Sequence, residues 1–269
     1  MRNLQVDMEN QDQATNGKSC AISVVMTTYN GSLYLEEQLS SIIEQLSEHD
    51  EIVISDDGST DNTLDILSRY ASEQIRIVRT SKQLGPIFNF EHALGHARYD
   101  IIVLSDQDDR WLPDRLKRVR EHFSASTDTY NLLVMNSVIT DGTLKPTHAS
   151  LFEHLNAGPG QIKNIYRNTY VGCHMAFRRS LLNVAVPFPA AIPMHDMWLG
   201  LVSEWLGPVT FDPVPTLLWR RTGQNYTKDS YSIRQRIVWR IGLVSSLLRR
   251  RLSAQFRSRL QPSALVSDQ

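Results

Sequence analysis

Three aspartates, Asp106, Asp108 and Asp109, fall directly after the apolar run Ile101 to Leu104. Such a run reads as a strand covered on both faces, which puts the carboxylates at its carboxyl end. Like charges this close raise one another's pKa and repel unless a cation lies among them. A divalent ion resolves the repulsion. Hard oxygen ligands suit Mg2+ or Mn2+, which keep several waters and bind through one or two carboxylates together with a substrate's phosphates. A solvated acidic loop, or a helix N-terminus ahead of DRLKRVREHF, fits the same residues.

Two further groups have the residue types for chemistry. His195 and Asp196 precede an apolar helical stretch that includes Trp198, where they read either as a catalytic pair or as a core histidine and a helix N-cap. Arg220 and Arg221 stand in a basic loop that either meets a diphosphate or is solvated.

The elements that must position these residues alternate. Ala21 to Met26 is a β-branched run that stops at Thr27-Thr28-Tyr29-Asn30-Gly31, and Leu35, Leu39, Ile42, Ile43 and Leu46 then recur at helical spacing. Glu51 to Ile54 gives a second strand that breaks at Ser55-Asp56-Asp57-Gly58-Ser59-Thr60, with Ser59 or Thr60 available to cap a helix over 61–70. A third strand over 75–78, a helix over 88–97 and the strand at Ile101 continue the pattern. Strands and helices alternating at this pace imply an α/β fold with a parallel sheet and right-handed crossovers. Ligands of such sheets bind outside the carboxyl ends of the strands, where three polar or acidic segments converge here. No GxGxxG follows the first strand and no GxxxxGK[ST] occurs anywhere, which argues against a dinucleotide fold and a P-loop enzyme. Beyond Leu132 the pattern loosens: 133–135 and 210–219 read as strands, and 172–177 as a strand edge at a binding surface.

The chain of 269 residues, 41% hydrophobic and 21% charged, has the composition of a globular protein able to bury a full core. Its polar opening, residues 1–19, reads as a disordered leader. Cys20 and Cys173 are too few for a disulfide framework, which favours a reducing, cytoplasmic setting, and neither has the spacing of a metal ligand. The formal charge of −1 hides an asymmetry, since 231–260 holds eight Arg and no acidic residue, leaving 20 basic against 29 acidic residues elsewhere. Within that segment Ile233, Ile237, Ile241, Val244 and Leu248 fall on one helical stripe. It reads either as a helix docked on the acidic body or as an interfacial helix on an anionic membrane at the inner face of the cell membrane. No apolar run approaches the roughly 20 residues that span a bilayer.

Taken together, Ser23-Val24-Val25-Met26-Thr27-Thr28-Tyr29-Asn30, Ser55 to Asp61 and the string SDQDDRWLP from Ser105 resemble the family 2 glycosyltransferases with the GT-A fold, over about residues 20 to 225. Gly172 to Phe177 and the His195 to Trp198 motif look most like bacterial rhamnosyltransferase-type enzymes of surface polysaccharide assembly. The resemblance implies a mixed Rossmann-like sheet flanked by helices, and with the composition it divides the chain into a disordered leader over 1–19, a GT-A domain over 20–228 and a basic amphipathic helical tail over 229–269. It implies an inverting transfer from a dTDP- or UDP-sugar to a glycan or lipid-linked glycan acceptor, with no nucleic acid involved. By the same resemblance Thr27 and Tyr29 lie against the base, Asp57 accepts from its imide nitrogen, Asp106 is near the ribose, Asp108 holds the metal and Asp196 is the general base. His195, Trp198, Arg220 and Arg221 are then candidate diphosphate or acceptor contacts. Thr222 stands where relatives often carry a metal-side histidine, and His174 where many carry a small hydroxyl residue. The alternatives are a catalytically silent sugar-nucleotide or glycan-binding module and a sugar-phosphate nucleotidyltransferase.

Overall fold

A computed structural model describes residues 20–223 and 232–253, so the expected leader lies outside the described residues, as do the expected boundary at 228 and the end of the tail. The parallel half of the sheet is built from β1 (Ile22–Thr28), β2 (Glu51–Asp56), β3 (Ile75–Arg79) and β4 (Ile101–Ser105), with helices α1 (Leu35–Ile43), α2 (Thr63–Tyr70) and α3 (Pro86–His96) between them. β1 lies between β2 and β4, pairing Thr27 with Ser55 on one side and Met26 with Ser105 on the other. This register brings the three strand ends to one edge, and with them the three polar segments that follow.

The second half is antiparallel where it joins the first. After the two-residue β5 (Arg110–Trp111) and α4 (Arg115–Ser124) come β6 (Leu132–Thr140) and β7 (Pro146–His148), then short helices α5 (Leu151–Leu155) and α6 (Gln161–Tyr166). β8 (Met175–Arg178), α7 (Leu182–Ala185), α8 (His195–Leu206), β9 (Val209–Arg220) and α9 (Ile233–Leu252) complete it. The sheet runs β3-β2-β1-β4-β8-β6-β9-β5, with β7 paired to β6. The expected strand edge at 172–177 is corrected here, because β8 lies between β4 and β6 and Met175, Ala176 and Phe177 are fully buried. Only a 3-10 turn, Gly172–His174, leads from it toward the polar edge.

Alternation along the strands sorts the core. Ile22, Val24 and Met26 of β1 with Ile101 and Val103 of β4 join Leu35, Leu39 and Ile42 of α1 on one face. Val25, Ile102 and Leu104 meet Phe90, Trp198 and Leu201 on the other. Trp198 is therefore a core residue, its indole N–H donating to the Ala185 carbonyl at 2.8 Å, and the expected acceptor contact through it is withdrawn.

Candidate active site

The end of β2 is held by its own acids. Asp56 Oδ1 accepts from the Gly58 and Ser59 backbone N–H groups at 3.1 and 2.9 Å, and Oδ2 from the hydroxyls of Thr28 and Ser59 at 2.9 and 2.6 Å. Gly58 lies at φ +83, a backbone conformation that glycine takes without strain. The Ser59 hydroxyl donates to Asp56 while its oxygen accepts from Asn30 N at 2.9 Å, so it caps no helix. α2 instead begins at Thr63, after Asn62. Asp57 gathers a different loop: Oδ1 accepts from Leu84 N at 2.7 Å and from the Thr80 hydroxyl at 3.1 Å, and Oδ2 from Gly85 N at 2.8 Å. Across from it Thr27 is half-buried and Tyr29 is exposed. The Tyr29 backbone is clasped by Gln107, whose Oε1 accepts from Tyr29 N at 2.9 Å and whose Nε2 donates to Tyr29 O at 3.1 Å.

At the end of β4, the ligand atoms of Asp106, Asp109 and Cys173 lie within 4.8 Å of one another. Burial and the neighbouring Asp108 charge push the Asp106 carboxyl up to about 7, with Asp196 adding to the shift. The same two causes, burial and Asp108, raise Asp109 well above the ordinary carboxylate range. Asp109 Oδ1 accepts from Arg220 N at 3.0 Å, while its Oδ2 is buried with no partner among the described residues. Crowded oxygen donors whose charge burial disfavours, with one lone-pair face unused, fit a hard divalent cation. Burial and the two aspartates raise the Cys173 thiol too, so it stands beside the carboxylates as a neutral group.

The Gly172–His174 turn joins this cluster to the start of α8. A Cβ at Gly172 would meet His195 Nε2 at 2.8 Å and Asp196 Cβ at 3.8 Å, so glycine is what lets the turn close on that helix. Cys173, the next residue, faces Asp106 and Asp109, and Arg115 locks the turn by donating to the Cys173 carbonyl at 2.6 Å and to the Thr216 hydroxyl at 2.6 Å. Asp196 sits in the first turn of α8, after the N-cap Met194, and its Oδ1 accepts from Met197 N at 2.5 Å. Burial pushes its carboxyl up to about 7, against the pull of the Met197 and Gly172 N–H groups and the Asn168 side chain. His195 is buried and stacks on Phe90 with centroids 4.1 Å apart, and burial drives it down to about 3, so its imidazole is neutral. His174 is also buried, with Nε2 against the Ser137 hydroxyl at 2.8 Å, which closes it off from an acceptor.

Of the two expected basic contacts, Arg220 is turned inward. It donates to the Asp108 carbonyl at 2.7 Å, to the Gly142 carbonyl at 2.7 Å and to Glu37 at 2.5 Å, and its guanidinium lies 4.4 Å from the Tyr34 ring centroid. It acts as a latch between β9, α1 and the acid run, not as an open diphosphate contact. Arg221 is half-buried, its guanidinium 4.8 Å from the Trp219 ring. The structure thus gathers Asp106, Asp108, Asp109 and Asp196, and places Thr27, Tyr29 and Asp57 along the adjoining edge. Sequence reasoning missed Cys173, Gln107 and Arg115. Gln107 was within reach, as the one uncharged residue between Asp106 and Asp109.

Residues 23–184 match the family model described as glycosyl transferase family 2. The chain belongs to that family, and it is a glycosyltransferase. It is 28% identical over 260 residues to the dTDP-rhamnosyl transferase RfbG of Shigella flexneri, across 91% of this chain and 87% of that one. To the UDP-Glc:alpha-D-GlcNAc-diphosphoundecaprenol beta-1,3-glucosyltransferase WfgD of Escherichia coli it is 24% identical over 194 residues, 68% of this chain and 70% of the other. Among solved structures it resembles S. aureus TarS 1-349 in complex with UDP-GlcNAc, with a TM-score of 0.64 at 18% identity, covering 90% of this chain and 76% of that one. The TarS likeness establishes the GT-A fold, a mixed sheet flanked by helices.

Proposed function

We propose that this glycosyltransferase moves a sugar, with rhamnose the first candidate, from a dTDP- or UDP-linked donor to a glycan or lipid-linked acceptor, inverting the anomeric centre in one displacement. The observation that carries this reading is the position of Asp196: close enough for its charge to act on Asp106, joined to the acid cluster through one short turn, and raised to about 7 by burial. A base poised near neutrality is what proton abstraction from a sugar hydroxyl requires. The rhamnosyl assignment leans on the Shigella flexneri relative.

In this reading Thr27 and Tyr29 border the nucleotide base and Asp57 accepts its imide N–H, a donor that uracil and thymine share. The bonds from Thr80, Leu84 and Gly85 fix the Asp57 carboxylate and still leave it acceptor capacity. Asp106 adjoins the ribose, and Asp108, with Asp106 and Asp109 beside it, holds Mg2+ or Mn2+. When bound, the ion stabilises charge developing on the departing diphosphate. Asp196 takes the acceptor's hydroxyl proton as that oxygen bonds to the anomeric carbon. The diphosphate leaves from the opposite face with the electron pair of the broken C–O bond. Both cysteines are free thiols, in keeping with work in the reducing cytoplasm.

The test is a donor screen over dTDP-rhamnose, UDP-glucose and UDP-GlcNAc, with and without Mn2+, that follows nucleotide release. Metal-stimulated release from the dTDP-sugar is the expected result. Release from none of the donors, or equal release in excess EDTA, overturns the reading.

A further inference from the structure

The C-terminal helix α9 has two unlike faces. Leu243 and Leu247 are buried against the body, and Gly242 rests on Ala191, whose carbonyl would lie 2.7 Å from any Cβ there. Arg250 ties this face down by donating to the carbonyls of Val184 and Val186 at 2.6 and 2.9 Å. A second face is apolar and open: Ile237, Ile241, Val244, Leu248 and Leu252 follow one another at steps of four, three, four and four, with Ile241 65% and Leu248 55% exposed. The stripe read from sequence therefore does not dock. At about 100° per residue its centre points roughly a third of a turn away from Leu243 and Leu247.

The exposed stripe does not end with its own helix. Arg240, adjacent to Ile241, donates to the Ile165 carbonyl at 3.1 Å and to the Tyr166 carbonyl, and its guanidinium lies 5.9 Å from the Tyr166 ring. α6 is thereby held against α9, and it carries Tyr166, 77% exposed, and one turn earlier Ile162, 87% exposed. Large apolar side chains on two packed elements, all open, form a patch of the kind that marks an interaction surface. Its rim is basic: Arg234, Arg236, Arg249 and Arg251 are exposed at the two ends of α9, and the helix contains no Asp or Glu.

We propose that α9 and α6 together form an interfacial surface that lays this protein on an anionic lipid bilayer. Charge complementarity decides the occupant. A second copy pairing through the same face would bring Arg234 and Arg236 against Arg249 and Arg251, or each against itself, and either arrangement sets like charges together. An anionic leaflet neutralises every one of them, while Ile241 and Leu248 enter the headgroup boundary and Tyr166 sits at its depth. None of the described helices is long and apolar enough to cross a membrane, so the contact is peripheral. Through Gly242 the helix rests on the segment that leads into α8, Ala191 lying five residues before Asp196.

The experiment is co-sedimentation of the full chain with phosphatidylcholine vesicles and with vesicles containing phosphatidylglycerol, alongside Ile241→Asp/Leu248→Asp and Arg234→Ser/Arg249→Ser. All four positions are exposed, and thermal melting confirms that each variant folds. Wild type is expected to partition onto the anionic vesicles at least about tenfold more strongly than onto the neutral ones, with loss in high salt and in both variants. No sedimentation of wild type, equal binding to both vesicle types, or unchanged binding of the Ile241→Asp/Leu248→Asp protein overturns the proposal. So does a concentration-dependent dimer, with no vesicle binding, that the apolar substitutions dissolve. Donor turnover is measured on the same preparations, so failure of vesicle binding and failure of the transfer reading are told apart.

Discussion

The amino end of β2 and the carboxyl end of β4 treat their acids in opposite ways. At the amino end Asp50 receives the Arg120 guanidinium at 2.5 Å and the backbone N–H groups of Ile22 and Ser47, and Glu51 receives Arg76 at 2.9 Å and the Ser23 hydroxyl. After β4 an arginine is equally close, yet Arg220 meets Asp109 through its backbone N–H and aims its guanidinium at Glu37 and at two carbonyls. The fold therefore has the means to neutralise acids, applies arginine at the amino end and backbone and hydroxyl donors to Asp56 and Asp57, and after β4 leaves Asp106 and Asp109 with raised pKa values. Strain of that sort concentrates at functional sites.

The largest expected effect at the carboxyl end belongs to Asp196. Asp196→Asn should bind donor normally and turn over about 10²- to 10⁴-fold more slowly, and turnover within a few-fold of wild type would remove it from the role of base. Because its carboxyl sits at about 7, kcat/KM of the wild type should rise with pH through that region, and the acid limb should vanish in the variant's residual rate. Next comes Asp108→Ala, which should lower transfer by about 10²- to 10³-fold and weaken donor binding in calorimetry while the melting curve is kept. Excess EDTA should reproduce that loss in the wild type.

Stability separates the two ends. Asp50→Asn should cost about 3–5 kcal/mol in denaturant unfolding, since it strips the partner from a buried arginine pair. Asp109→Asn should keep the acceptor for Arg220 N and cost nothing, or raise the melting temperature slightly. Raised carboxyl pKa values mean that the native state holds protons the unfolded chain releases, so the metal-free protein should lose stability as pH climbs from about 4 through 7. Added Mn2+ should restore it. A flat melting profile over that range would show that these carboxylates are not under the strain described.

Much of this was legible beforehand because it depends on local pattern. Four β-branched strands and the amphipathic spacing of Leu35, Leu39 and Ile42 announce a parallel sheet, and a parallel sheet sends its strand ends to one edge. Asp106, Asp108 and Asp196 carry their identity in short strings. What stayed hidden depends on partners distant in sequence. Gly172 to Phe177 looked like an edge because nothing in those residues reveals that β6 and β4 would flank them. Arg220 looked like a phosphate contact because arginines in loops usually meet solvent, and only the fold brings Glu37 and Tyr34 beside it. The stripe on α9 was correctly spaced, but periodicity cannot tell the face a helix buries from a face it leaves open.

One side chain outside the chemistry has a mechanical consequence. Gln107 meets the Tyr29 peptide with a donor and an acceptor at once, imitating the next rung of a ladder that β1 and β4 have already ended, and Gly31 makes room for it, since a Cβ there would overlap its Oε1 at 2.1 Å. The loop after β1 and the acid run after β4 are thereby tied together. Holding the two segments in register before any ligand arrives lowers the ordering cost that a molecule bound across both would bear.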